Sequence, residues 1–326
     1  MVWPIVLFAV GLLLLIKGGD WFVDGAVGLA HRFHVPELLI GATVVSIGTT
    51  LPEVMVSAGS AVSGHPEIAY GNAIGSVICN TALIAAITLA IRPGKAGRDT
   101  LKMPVTFFFL AAALYAGISY TTGRFSRFSG ILLLVMFVCY MVLTVWQMKK
   151  TPKTVEAAET ETEEQPEKER KLWQNLVLLV IGAAAIAFGA DLLVDNGTLI
   201  AEMLGVPESV IALTFVALGT SLPELITAIT SLVKGYSSLS LGNIIGANLF
   251  NLVLVSGLSI TLKPFDVPQS SVFLGHQASL VLDIPLMFAV MLILTVPALW
   301  KEKLYRWQGI ALLALYAGFC AIQFTM

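Results

Sequence analysis

Ten apolar runs follow one another along the 326-residue chain, separated by short polar breaks. A helix of about twenty apolar residues matches the hydrocarbon thickness of a bilayer and satisfies its own backbone hydrogen bonds there. The runs fall near 2–18, 36–62, 67–91, 104–121, 129–147, 173–199, 208–233, 238–262, 279–299 and 307–325. The expected fold class is therefore an all-α polytopic membrane protein with ten transmembrane helices. Composition agrees: 57% of residues are hydrophobic and 12% charged, which excludes an ordinary soluble globule. The first run lacks a basic start and a small-residue cleavage site, and Lys17 and Asp20 follow it, so it reads as a span rather than a signal peptide.

The nineteen Lys and Arg residues divide unevenly between the two sets of loops. Loops 1-2, 3-4, 5-6, 7-8 and 9-10 hold fifteen, the other set holds Arg124, Arg127 and Lys263, and Lys17 lies inside a helix. The positive-inside rule puts the basic set in the cytoplasm and both termini outside, in a plasma (inner) membrane protein. A net charge of −2 points to no nucleic-acid partner. Cys79, Cys139 and Cys320 all fall in apolar runs and imply no disulfide framework. The four histidines lack zinc-site spacing.

The chain is also a repeat. Adding 171 to a position in the first half lands on its partner: Asp20 on Asp191, Asp24 on Asp195, Val35-Pro36-Glu37 on Val206-Pro207-Glu208, Glu53 on Glu224, Asn72 on Asn243, Asn80 on Asn251. Over positions 18–80 there are 24 identities in 63 pairs without a gap. Each half has five spans, an odd number, so the second copy enters the membrane the other way up. Two inverted five-helix repeats, 1–148 and 172–326, are expected on either side of an acidic cytoplasmic linker at 149–171, whose seven glutamates and lack of apolar runs predict disorder. Inverted repeats with matching Gly- and Pro-interrupted helices point to a secondary transporter.

GTTLPE (48–53) and its copy GTSLPE (219–224) put a carboxylate in the middle of an apolar run. An intramembrane ionisable residue is costly unless its site has an occupant. Ser46, Thr49 and Glu53 share one helix face, as do Ala217, Thr220 and Glu224, with Thr50 and Ser221 beside them. Pro52 and Pro223 lack an amide hydrogen and crowd Gly48 and Gly219, so both helices are expected to bend or open there. Freed carbonyls, hydroxyls and carboxylates make an all-oxygen site suited to Ca²⁺ or Na⁺. A second doubled motif, GNAIGSVICN (71–80) and GNIIGANLFN (242–251), adds Ser76, Asn80 and Asn251, with glycines that permit close helix approach.

These two doubled motifs resemble the α-repeats of the cation/Ca²⁺ antiporter superfamily, most closely its bacterial and archaeal sodium/calcium exchangers. The resemblance covers nearly the whole chain. It implies an antiporter, not an enzyme, with Ca²⁺ and Na⁺ as transported ions and no cofactor. The implied calcium site uses the carboxylates of Glu53 and Glu224 with the backbone carbonyls of Thr49 and Thr220. The implied sodium sites add the Ser46 and Ala217 carbonyls, the Thr50 and Ser221 hydroxyls, Ser76, Asn80 and Asn251. Where some relatives carry a serine and an aspartate, this chain has Ala247 and Asn251, which limits the site's formal charge to −2. The alternative is a Ca²⁺/H⁺ antiporter using the same glutamates, but the motif of the proton-coupled branch is missing.

Among the other polar residues, Asp20, Asp24, Asp191 and Asp195 either line an ion entrance or pair locally. Glu37 and Glu208 follow prolines and suit helix starts. Asp283 has alanine at its repeat position, 112, and its role stays open. No nucleophile and base, and no catalytic aspartate pair, suggest an intramembrane hydrolase.

Overall fold

The computed structural model describes residues 2–150, 170–204, 219–269 and 272–323. Residues 151–169 of the acidic linker expected to be disordered, the Val206-Pro207-Glu208 triplet and Ala217 lie outside the described residues.

Eight helices among them are long and apolar enough to cross a membrane. They are α1 (Val2–Phe33), α2 (Glu37–Val62), α3 (Pro66–Ile91), α4 (Arg98–Thr121), α5 (Arg127–Lys150), α6 (Leu172–Met203), α8 (Ser237–Leu262) and α9 (Ser279–Lys301). Between α6 and α8 lies a shorter apolar helix, α7 (Leu222–Val233), and α10 (Arg306–Gln323) follows α9. Burial ranks them. In the most apolar window of α2, α3 and α8, 61, 72 and 83% of residues are buried, against 28–44% in the other five. The first group is the centre and the second faces outward, with Trp3, Trp146, Trp173, Trp300 and Trp307 exposed near helix ends, where amphipathic rings suit a membrane interface.

Glycines set how closely the helices cross. On α1 and α6, a Cβ at Gly11 would come within 2.9 Å of the Gly189 carbonyl oxygen, and one at Gly182 within 2.8 Å of the Gly18 carbonyl oxygen. The offset of 171 converts one contact into the other, so the two helices cross about an approximate twofold axis. In the centre, Gly242 of α8 lies against the Leu38 backbone of α2, and Gly246 against Ala42 and the Ser46 hydroxyl. Such small-residue crossings bring backbones together where lipid offers no hydrophobic drive for association.

α1 does not stop near residue 18 but continues to Phe33, carrying Lys17, Asp20 and Asp24. Distant charges make that possible. Lys234, at the end of α7, lies 2.5 Å from Asp24 and 3.4 Å from Asp20; Arg170 lies 3.7 Å from Asp24, and Lys17 3.8 Å from Asp20. Asp20 and Asp24 thus form ion pairs, mostly with residues remote in sequence. Lys234→Ala is expected to lower thermal stability by about 1 kcal/mol, since these groups are a quarter to a third exposed. A double-mutant cycle of thermal unfolding with Asp24→Asn measures the coupling.

The loops are tied together at both ends. Strand β1 (Arg124–Phe125) pairs antiparallel with β2 (Phe265–Asp266), joining the loops after α4 and α8. A bridge between Lys95 and Lys303 joins the loops after α3 and α9. A short hairpin of β3 (Val272–Phe273) and β4 (His276–Gln277) precedes α9. Each tie joins loops of the same alternating set, which is the grouping used to count the basic residues.

Candidate cation site between the two halves

α2 changes helical pitch just before its motif. Residues Gly41–Val45 form a π-helical turn, after which the α-helix runs unbroken from Ser46 to Val62. The helix expected to bend or open at Pro52 does not open: the proline sits inside a continuous helix, and the irregularity lies at least two turns earlier. Proline removes one hydrogen bond, and the packing of α2 in the buried centre holds the helix together across that loss. Its counterpart behaves as expected. Pro223 occupies the first turn of α7, after a break at Thr220 and Ser221.

The second motif shows a matched feature. Asn80 begins the π-helical turn Asn80–Ala85 of α3, and Asn251 begins Asn251–Val255 of α8. These positions are 171 apart. A π-turn widens the helix and commonly marks a functional position.

The expected residues converge. Ser46, Thr50, Glu53, Glu224, Asn80 and Asn251 have no exposed surface, and Thr49, Ser221 and Ser76 are 2–4% exposed. Thr220 is half-buried. The Glu53 and Glu224 carboxyl groups lie close enough to feel each other's charge. The Thr49 and Thr50 hydroxyls face Glu224 without closing a hydrogen bond to it. Among the described residues, all four carboxyl oxygens are buried without a partner, as are Thr50 Oγ1, both polar atoms of the Asn80 side chain, and Asn251 Oδ1. No lysine, arginine or histidine among the described residues pairs with either glutamate.

Sequence reasoning missed the residues that hold this geometry. Asn72 Nδ2 donates to the Glu53 carbonyl at 3.3 Å and the Ser57 hydroxyl at 2.8 Å, while its Oδ1 accepts from Thr220 at 3.1 Å. Asn243 Oδ1 accepts from Thr49 at 3.2 Å and Ser46 at 3.3 Å. Each asparagine thus holds the motif threonine of the opposite half, and the offset of 171 relates the two bonds. The symmetry ends at the amide nitrogens. Ser57 has Ala228 as its counterpart, and Asn243 Nδ2 lacks a hydrogen-bond partner. The doubling of Asn72 in Asn243 was the available signal. Thr227 and Ser231 were also missed: they follow Glu224 at helical spacing, buried and unpartnered.

Asn243→Ala is expected to leave the buried Thr49 hydroxyl with only the Ser46 carbonyl at 3.5 Å, while Ser46 keeps the Gly41 carbonyl at 2.7 Å; it should destabilise the protein by about 1–3 kcal/mol and weaken calcium binding. Thermal unfolding and ⁴⁵Ca²⁺ titration of the purified variant check both effects.

A narrow cleft beside the site is lined by Thr49, Pro52 and Pro223 and walled by Phe22 of α1 and Ala183, Ile186 and Ala187 of α6. The α1–α6 pair therefore covers one side of the oxygens with apolar surface. The site offers mostly hard ligands, namely two carboxylates, hydroxyls, amide oxygens and carbonyls, with the Cys79 thiol beside Ser221 at its edge. No group of three or more His, Cys, Asp or Glu is placed to hold a metal among the described residues. Two buried carboxylates without a cationic side chain carry a large desolvation cost, which one divalent cation or two monovalent ones would offset.

Known proteins match this architecture from end to end. The inner membrane protein YrbG of Escherichia coli is 33% identical over 96% of this chain and 93% of its own length. The sodium/calcium exchanger MaX1 of Methanosarcina acetivorans is 29% identical over 96% of each chain. A structure of the sodium-calcium exchanger NCX_Mj, soaked with 2.5 mM Na⁺ and 10 mM Sr²⁺, superposes with a TM-score of 0.80 at 32% identity and 98% coverage of both chains. The family model described as "Sodium/calcium exchanger protein" matches residues 3–146 and 174–325, so the chain belongs to the sodium/calcium exchanger family, in the prokaryotic branch of the cation/Ca²⁺ antiporter superfamily.

Proposed function

We propose that this protein exchanges Na⁺ for Ca²⁺ across the plasma membrane by alternating access, with Na⁺ entry driving Ca²⁺ out of the cytoplasm. The observation that carries the reading is the buried pair Glu53 and Glu224, close enough to feel each other's charge and, among the described residues, without a cationic side chain and ringed by unpartnered oxygens. The glutamates bind Ca²⁺ with the Thr49 and Thr220 carbonyls. Thr50, Ser221, Ser46, Ala217, Ser76, Asn80 and Asn251 supply the sodium positions. Because both ions use the same oxygens, occupancy by one excludes the other, and exchange needs no separate coupling domain.

In this reading the chain crosses the membrane ten times as two inverted repeats, 1–148 and 172–326. Both termini lie outside, and the 149–171 linker lies in the cytoplasm. The excess of Lys and Arg in one set of loops supports that orientation. An exchange of three Na⁺ for one Ca²⁺ would move one charge inward, worth about 2.3 kcal/mol per 100 mV to calcium export.

The test is ⁴⁵Ca²⁺ uptake into proteoliposomes loaded with sodium, potassium, choline or acid. Uptake is expected only with internal sodium. It should rise when external sodium is removed and, because the exchange carries net positive charge out of the lumen, when the lumen is made positive with respect to the bath. Uptake driven by a pH gradient in sodium-free medium would instead indicate proton exchange. Uptake without an opposing gradient would indicate a passive pore.

A further inference from the structure

A second group of polar side chains lies outside the central site, where α3, α4, α8 and α9 meet. Asp283 ends the π-helical turn Ser279–Asp283 that opens α9. Its counterpart in the first half, position 112, is alanine, so the duplication that doubled the central motifs does not extend to it. Its Oδ1 is buried without a hydrogen-bond partner, and no ion pair reaches it among the described residues.

Two phenols lie near this carboxylate. Tyr70 of α3, 3% exposed, donates at 3.4 Å to the carbonyl of Ser279, four residues before Asp283. Tyr115 of α4 is fully buried, its ring centroid is 6.1 Å from that of Tyr70, and its hydroxyl has no hydrogen-bond partner among the described residues. Both lie within electrostatic reach of Asp283. The Ser256 hydroxyl of α8 lies beside Tyr115 and donates to the Asn251 carbonyl at 3.0 Å. Ser256 is about 8 Å along α8 from Asn251, and Tyr70 about 9 Å along α3 from Ser76, so this group lies roughly one and a half helical turns from the central oxygens.

We infer that Asp283, with the hydroxyl oxygens of Tyr115, Tyr70 and Ser256, is a second cation site that takes one hard monovalent ion such as Na⁺. The donor set is all oxygen, which suits a hard cation. Tyr70 and Ser256 direct their protons at the Ser279 and Asn251 carbonyls, which leaves their oxygen lone pairs for a ligand. A single carboxylate matches a single positive charge. A divalent ion would leave one charge uncompensated in an apolar surround and would find too few ligands for its usual shell. The Ser256 bond, five residues back along the same helix, ends on the backbone carbonyl of Asn251. The inference rests on these groups alone and does not depend on which ion drives exchange.

Equilibrium dialysis of the purified full-length protein against ²²Na⁺, and separately against ⁴⁵Ca²⁺, tests it. Asp283→Asn is expected to bind one fewer Na⁺ per chain at saturation while its ⁴⁵Ca²⁺ binding stays within twofold of the parent. Tyr115→Phe is expected to raise the half-saturating sodium at that site at least threefold, and it serves as the test if Asp283→Asn does not fold. An unchanged sodium count in Asp283→Asn, or unchanged sodium affinity in Tyr115→Phe, overturns the inference. So does an unchanged sodium count accompanied by loss of one titrating proton, which makes Asp283 a carboxylic acid. Absence of ⁴⁵Ca²⁺ binding to the parent protein would count against the exchange reading instead.

Discussion

Glu53→Gln and Glu224→Gln are each expected to reduce sodium-driven calcium uptake by at least a hundredfold, with the folded protein still recovered. The amide keeps the shape of the side chain and removes its charge. In a site whose four carboxyl oxygens have no partner among the described residues, that charge is what compensates a divalent cation. The double variant should do little further harm, because the two carboxylates act on one ion and neither suffices alone. Each glutamine should also abolish the rise in melting temperature that calcium gives the parent protein, since a ligand stabilises only the state that binds it. Initial rates of ⁴⁵Ca²⁺ uptake and melting curves with and without calcium check these effects. A near-normal rate in either variant would remove that glutamate from the site.

The second large effect belongs to the crossing of α2 and α8. A Cβ at Gly242 would run into the Leu38 carbonyl oxygen, and one at Gly246 would run into Ser46 Oγ and come within 2.6 Å of Ala42 Cα. Backbone atoms cannot give way as a flexible side chain can. Gly242→Ala and Gly246→Ala must therefore force the two helices apart, displacing Ser46 and Thr49 from Asn243. A loss of about 1–3 kcal/mol is expected for each, with at least a tenfold fall in uptake. Gly318→Ala is the control: Gly318 is exposed on α10, and a Cβ added there would meet nothing within 4 Å among the described residues. It should melt and transport like the parent. If Gly246→Ala also does so, the α2–α8 contact does not set the site's geometry.

Much of this architecture was legible in the sequence, for physical reasons that differ from residue to residue. Glu53 and Glu224 stood out because a carboxylate in an apolar run is costly, and because the same exception occurs twice at one offset. Asn80 and Asn251 were found in the same way, and both begin π-turns that no residue preference announces. The continuation of α1 was hidden. Lys17, Asp20 and Asp24 look like the polar end of a span until Lys234 and Arg170, remote in sequence, are brought beside them.

Pro52 illustrates a local rule overridden by packing. A proline four residues after Gly48 predicts a bend or an opening; the helix is held on several sides and does not open, and only its partner, Pro223, stands at a break. Asn72 and Asn243 appeared as repeat partners, yet their work is to bond the opposite half, and spacing along one chain carries no information about that. Asp283 was visible as an oddity without a repeat partner. Its surroundings come from α3, α4 and α8, so only the fold could give it neighbours.

The central claim is that one set of oxygens serves Ca²⁺ and Na⁺ in turn. Its most direct test is displacement of bound ⁴⁵Ca²⁺ from the purified protein by rising sodium at constant ionic strength. Sodium is expected to remove calcium completely, with a steepness that requires more than one Na⁺ per Ca²⁺, while potassium does not. Calcium that stays bound at saturating sodium would contradict the claim.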